Sequence, residues 1–220
     1  MSVNNKCKEA HSVFIGVDLD IFDSFANKGQ IQAKDDEVTL AYIGTLGHSY
    51  DIKLCIDGIS LLKDKAKIKF IVMGDGPLKP EFEGYALKKD INAVFTGSLK
   101  YSEMVKTLTG CHIAVNPIVP KAMQSIINKH GDYAAAGLPV LNTQATQEYR
   151  ELVADYNIGL NCISGDPNDF AKNLLILCSD KELRQEMGNN HRRLAKEKFD
   201  RKIAYTTIVD ILMKLAKEKT

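Results

Sequence analysis

From Val38 onward, short apolar runs alternate with segments patterned as helices, and this alternation constrains the fold more than any other feature of the chain. The runs are "VTLAYI" (38–43), "IKFIVM" (68–73), "NAVFT" (92–96), "CHIAVN" (111–116), "PVLNT" (139–143) and "IGLNC" (158–162). Most are apolar throughout, without the in/out alternation of a strand that has one face in water. They therefore read as strands buried on both faces, the mark of βαβ units and a parallel sheet. Six such strands predict a doubly wound α/β domain, Rossmann-like, with helices on both faces and a helical C-terminus. The intervening helices are expected over about 52–63, up to about Lys89, after Ser102 as a cap, around Glu148–Val153, and from about Lys202 to Lys217. "GDPNDF" offers Asp166 as N-cap with Pro167 behind it, and "SDKE" offers a Ser179/Glu182 capping box. Residues 1–37 read as irregular, with "GVDLDIF" (16–22) as an island.

Composition narrows the function classes. At 220 residues, with 45% hydrophobic and 26% charged residues, the chain can bury a substantial core. A net charge of +1 gives no general attraction to nucleic acid or anionic membrane. The five cysteines are odd in number and show no CxxC or Cys/His cluster, which suggests free thiols in a reducing, cytoplasmic compartment. No apolar run reaches the ~18 residues of a membrane span.

Ligands of open parallel sheets bind at the carboxyl ends of the strands. The loops there are "GTLGHSYD", "GDGP", "TGSLKYSE", "PIVPKAMQSIINKHGD" and "TQATQE". "GDGP" is either a phosphate cradle or a plain strand-to-helix turn. There is no GxGxxG after the first strand and no GxxxxGK[ST], so nicotinamide dehydrogenases and P-loop NTPases are unsupported. "DLD" (18–20) pairs two carboxylates but follows no strand of useful length, which argues against a metal site. His48 and His130 lie on ligand-side loops, where a phosphate contact competes with a structural role; His112 opens a strand and reads as a core residue. In the longest loop, Lys129 and Asp132 precede an alanine-rich helix. A helix start attracts anions, so an acid there is either a simple dipole-favoured residue beside a surface lysine or a ligand for something other than the phosphate. A sugar nucleotide supplies both parts, a diphosphate and a ribose diol. Spacing alone leaves the two readings open.

The order "HSVFIGVDLDIF", "AYIGTLG", "FIVMGDGPL", "AVFTGSLKYSEM", "CHIAVNP", "NKHGDYAAAGLPVLNT" and "YNIGLNCISGDPNDFAKNLLILC" resembles the nucleotide-sugar-binding half of group 1 retaining glycosyltransferases, enzymes with two Rossmann-like domains (the GT-B fold). The resemblance runs over nearly the whole chain from about residue 11, and the form of its longest motif is similar to polysaccharide-assembly members. It implies a nucleoside-diphosphate sugar as donor, with no metal or other cofactor, and a glycan or lipid-linked acceptor. "GVDLDIF" is then similar to the family's interdomain linker. Residues 1–37 become linker-like, 38–200 the donor domain, and 201–220 a helix that approaches an acceptor-binding N-terminal domain. That domain is expected to be absent from this chain, and peripheral membrane association is expected only of a full-length protein.

Asp132 falls where the family carries a ribose-binding glutamate, and Gln124 where it carries a sugar-contacting one. Where the family has an Arg and a Lys on the diphosphate, this chain has Thr45 and Tyr50, which leaves Lys129, His48 and the loop amides as substitutes. The resemblance thus implies Gln124 and Lys129 as catalytic residues. It implies donor contacts from Gly44, Thr45, Leu46, Gly47, His48, Gly74, Asp75, Gly76, Thr96, Gly97, Ser98, Asn128, Lys129 and Asp132. A nucleotide-sugar epimerase of the same architecture and a non-catalytic nucleotide-sugar-binding module are the competing readings.

Overall fold

The computed structural model describes residues 13–26, 37–120, 122 and 126–217. Six strands form one sheet: β1 (Val38–Ile43), β2 (Ile68–Met73), β3 (Asn92–Gly97), β4 (Ile113–Asn116), β5 (Val140–Asn142) and β6 (Gly159–Asn161). All neighbours are parallel, in the order β3-β2-β1-β4-β5-β6. The chain starts in the middle, builds outward through β2 and β3, then crosses back to place β4 on the other side of β1. This is the doubly wound α/β order, and it leaves a topological switch point between β1 and β4.

The continuous apolar runs have a direct structural cause. Successive side chains of a strand point to opposite faces. In β1, Leu40 and Tyr42 enter one core while Ala41 and Ile43 enter the other; in β2, Phe70 and Val72 oppose Ile71 and Met73. The first core is covered by α2 (Ile52–Ser60), α3 (Lys79–Lys88) and α7 (Pro167–Ser179), through residues such as Ile56, Phe82 and Phe170. The second is covered by α1 (Leu19–Ala26), α4 (Tyr101–Thr109), α5 (Lys129–Ala135) and α6 (Gln147–Asp155), with α8 (Lys181–Leu194), through Phe22, Leu108, Tyr133, Tyr149 and Leu194. The π-helical turn Ala195–Phe199 follows α8, and α9 (Arg201–Lys217) ends the described chain.

Caps explain the helix boundaries. Asp51 and Asp166 accept hydrogen bonds from the first-turn amides of α2 and α7, the latter as expected from its sequence. Two expected caps fall elsewhere. Ser102 lies inside α4, whose start is fixed instead by the Glu103 carboxylate accepting from the Lys100 amide. Asp180, not Ser179, caps α8 by accepting from Leu183 N. Nor is the segment before residue 37 wholly irregular. Asp18 accepts from the Ile21 amide, Phe22 is buried, and together they set α1 against the second core.

The three strands on the β4 side all end in asparagine, and these residues are in register: Asn116 opposite Asn142, Asn142 opposite Asn161. Asn116 Nδ2 donates to Asn142 Oδ1 at 2.9 Å, and Asn142 Nδ2 donates to Asn161 Oδ1 at 2.8 Å. The ladder pairs polar groups that are otherwise costly to bury at the ligand end of the sheet.

Cys55, Cys111 and Cys162 are buried free thiols and Cys178 is half-buried; Cys7 and His11 lie outside the described residues. Burial pushes the Cys111 and Cys162 thiols up to about 12. Among the described residues, no helix is long and apolar enough to cross a membrane.

Candidate functional site

β1 and β4 pair only at Leu40–Ile113 and Ala41–Ala114, and beyond that point they separate. Tyr133 of α5 fills the gap: its buried hydroxyl accepts from Ile43 N and donates to Val115 O, both at 3.0 Å. One phenol therefore anchors α5 on the switch point. Lys129 lies one helical turn before Tyr133, on the same inward face, whereas Asp132 is turned toward a cleft beside the helix. The loops on either side are stitched together. Tyr50 bridges Ile118, and Asp51 N donates to Pro117 O at 2.9 Å.

Two clefts open at this edge. The first, ≈ 260 Å³, is lined by Gly44, Thr45, Gly74, Asp75, Ser98, Leu99 and Met104, among others. The second, ≈ 290 Å³, is lined by Gly16, Val17, Asp18, Ile21, Tyr101, Asn128, Asp132 and Arg201. The segment 98–101 contributes to both, so the clefts adjoin across the start of α4. Of the residues singled out by sequence, Gly44, Thr45, Gly74, Asp75 and Ser98 thus meet in one cleft, and Asn128 and Asp132 in its neighbour.

The remaining residues have other roles. Leu46 is buried, and its amide donates to Asp75 O at 2.8 Å; the Gly44 amide donates to Met73 O at 3.0 Å. Gly74 and Gly76 are glycines because these loops touch. A Cβ on Gly74 would sit 1.8 Å from the Gly44 carbonyl oxygen, and one on Gly76 2.4 Å from that of Leu46. "GDGP" is therefore first a loop-packing motif, and of the "GTLGH" amides only those of Thr45, Gly47 and His48 lack a backbone partner among the described residues. Thr96 spends its hydroxyl on Gly97 O at 2.9 Å, while Gly97 adopts φ +71° at the turn. His48 is exposed and lines neither cleft. His130 is a core residue on α5, stacked on Tyr149 with ring centroids 3.6 Å apart. His112 accepts from Thr39 N at 2.9 Å. Asp18 and Asp20 are engaged with the Ile21 amide and with Lys202. Gln124 lies outside the described residues.

Lys129 is not a surface lysine. It is 7% exposed, and its ammonium lies 4.1 Å from the centre of the Tyr42 ring and 3.9 Å from that of Tyr50. Among the described residues it has no hydrogen-bond partner. The bare backbone of Gly44 admits it, since a Cβ there would stand 3.1 Å from Nζ. Desolvation pulls its pKa well below the ordinary lysine value. Two aromatic faces attract a cation but do not replace its hydration shell.

Asp132 has the opposite surroundings. Tyr101 donates to its Oδ1 at 2.9 Å, and Arg201 lines the same cleft. Burial pushes the carboxyl up to about 6, against the lowering pull of the Tyr101 hydrogen bond and the Arg201 charge. Among the described residues no hydrogen bond reaches its second oxygen. Sequence reasoning missed Tyr101, Arg201 and the Tyr42/Tyr50 cage. Tyr42 is hidden within a strand pattern, and Tyr101 and Arg201 carry no spacing signal because the fold alone brings them to Asp132.

An uncharacterized glycosyltransferase of Methanocaldococcus jannaschii is 25% identical over 144 residues, covering 64% of this chain and 40% of that protein. The chain therefore spans less than half the length of this curated relative. HepE of Anabaena, solved in complex with UDP and glucose, superposes with a TM-score of 0.76 at 14% identity, over 92% of this chain and 56% of HepE. The C-terminal domain of a group 1 glycosyl transferase from Francisella tularensis (LpcC) superposes with a TM-score of 0.67 at 19% identity, over 84% of this chain and 100% of that domain. At such identities these structures establish the shared fold. The model of the family "Glycosyl transferases group 1" matches residues 23–194, which include every strand and the whole α5 region, and the chain belongs to that family.

Proposed function

We propose that this chain is the donor-binding half of a retaining glycosyltransferase that takes a nucleoside-diphosphate sugar. The observation that carries the proposal is the juxtaposition at the β1/β4 switch point. A carboxylate with one oxygen still available lines one cleft, and a caged ammonium lies under the glycine loop that lines the next. In this reading the Asp132 carboxylate accepts from the ribose hydroxyls. The diphosphate lies over the Thr45, Gly47 and His48 amides, with Ser98 at the side and Lys129 behind Gly44.

Lys129 also accounts for the family cations missing at Thr45 and Tyr50. Its ammonium packs on the Tyr50 ring, so positive charge reaches the same loop from α5. A positive charge there stabilises the departing diphosphate, an effect worth several kcal/mol in comparable sites. Gln124 gives the sugar a neutral hydrogen bond. The reading includes an acceptor that is a glycan or lipid-linked saccharide of surface-polysaccharide assembly, held by an N-terminal domain across the cleft, and transfer without a divalent ion. That HepE was solved with UDP makes UDP the first probe to use.

The test is a calorimetric panel of UDP-, GDP- and ADP-sugars against the wild-type chain, Asp132→Ala and Asp132→Glu. Asp132→Ala should lose about one to two decades of affinity, because a charge-assisted hydrogen bond contributes roughly 1.5–3 kcal/mol. Asp132→Glu should lose less. Equal loss from both, or none from either, would reduce Asp132 to a helix-start residue.

A further inference from the structure

Asp132 does not stand alone in its cleft, and its neighbours come from three separate segments of the chain. Tyr101 is the first residue of α4, Arg201 the first of α9, and Asp18 precedes α1. Among the described residues, only Tyr101 bonds the carboxylate directly. Its own orientation is fixed twice. The Glu103–Lys100 contact sets where α4 begins, and the Phe25 ring meets the Tyr101 ring edge-on, with centroids 6.2 Å apart at 76°.

We propose that Tyr101 is a positioning residue: its hydroxyl holds Oδ1 of Asp132 so that the other carboxylate oxygen faces the cleft and takes a ribose hydroxyl of the nucleotide. This rests on the assignment of Asp132 to the ribose. A carboxylate on the short aspartate stem rotates freely about its last bond, and a single donor on one oxygen fixes which oxygen is presented. The donor also favours the charged carboxylate, the form that accepts hydrogen bonds from a diol. Arg201 supports the same state by charge, while burial and the Asp132 charge oppose ionisation of the Tyr101 phenol and so keep it a donor, with a smaller push from Asp18.

The experiment compares the wild-type chain with Tyr101→Phe, Asp132→Asn and the double variant. Binding of UDP and 2′-deoxy-UDP is measured by calorimetry at pH 7.5, with GDP and ADP as alternates. The Asp132 carboxyl is titrated without ligand by ¹³C NMR, and thermal melts check that each variant folds. Tyr101→Phe should weaken nucleotide binding roughly tenfold. It should also raise the Asp132 titration midpoint above that of the wild type, a shift that a packing role for the ring would not produce. Asp132→Asn should bind UDP and its deoxy analogue equally weakly, and adding Tyr101→Phe to it should cost nothing more. If Tyr101→Phe leaves affinity and midpoint unchanged while Asp132→Asn still loses the discrimination, the positioning role is wrong and the ribose assignment survives. If Asp132→Asn discriminates as the wild type does, or no nucleotide of the three binds, the ribose assignment fails and the role of Tyr101 fails with it.

Discussion

Lys129 and Asp132 stand three positions apart and show how one helix turn assigns opposite roles to opposite charges. The lysine faces the sheet, where water cannot follow, and the aspartate faces a cleft, where it keeps one oxygen available. Lys129→Met is the informative change at this scale. Methionine fits an aromatic cage and has no charge to desolvate. Stability to urea should therefore be unchanged or rise by up to about 2 kcal/mol, the loss of cation–π attraction being offset by the removal of a buried charge. Affinity for UDP should fall at least tenfold. Marked destabilisation with intact binding would make the lysine a structural residue. A second expectation concerns pH. The Asp132 carboxyl is raised from 3.8 to about 6 in the folded protein, so the native state holds its proton more tightly than the unfolded one. Its contribution to stability is present in acid and is lost as pH rises through about 6. Asp132→Asn should flatten this part of the stability–pH curve, and an unchanged slope would contradict the assigned burial. The sequence marked both residues as candidates, but whether the lysine was exposed or caged depended on Tyr42 and Tyr50, which the sheet brings to it from other segments.

At the scale of elements, the strands were legible because two-sided burial leaves continuous apolar runs; the edge strand β3 is the exception, with Asn92 and Val94 exposed, yet it too falls where its run lies. Caps were less so. Asp166 announces α7 with a following proline, but Asp180 and Ser179 are neighbours of equal capping ability, and only the geometry of Leu183 N chooses between them. The segment of α1 looked irregular because its order comes from Phe22 packing on the second core, a long-range contact with no local signature. "GDGP" shows the same limit. Glycines that let a backbone approach a phosphate also let it approach another backbone, and here they meet the "GTLG" loop. Gly74→Ala places a methyl 1.8 Å from the Gly44 carbonyl oxygen, which no rotamer change relieves. It should cost more than about 2 kcal/mol in urea denaturation, with loss of nucleotide binding as the two loops part. A variant of wild-type stability would show that these loops shift without consequence.

For the whole molecule, the doubly wound order makes the β1/β4 gap the natural ligand site, and the family match covers the elements that build it. The match to the Methanocaldococcus jannaschii relative spans 40% of that protein, and α9 presents Ile208, Val209, Leu212 and Met213 to solvent. In the proposed function a nucleoside diphosphate lies across the two adjoining clefts at the carboxyl ends of the strands. Amide chemical-shift mapping of the ¹⁵N-labelled chain during a UDP titration tests it most directly. The largest changes should fall on Thr45, Gly47, Ser98, Tyr101, Asn128 and Asp132. Changes centred on the opposite end of the sheet, around Glu37, Lys63, Asp90 and Asn92, where another cleft opens, would contradict it.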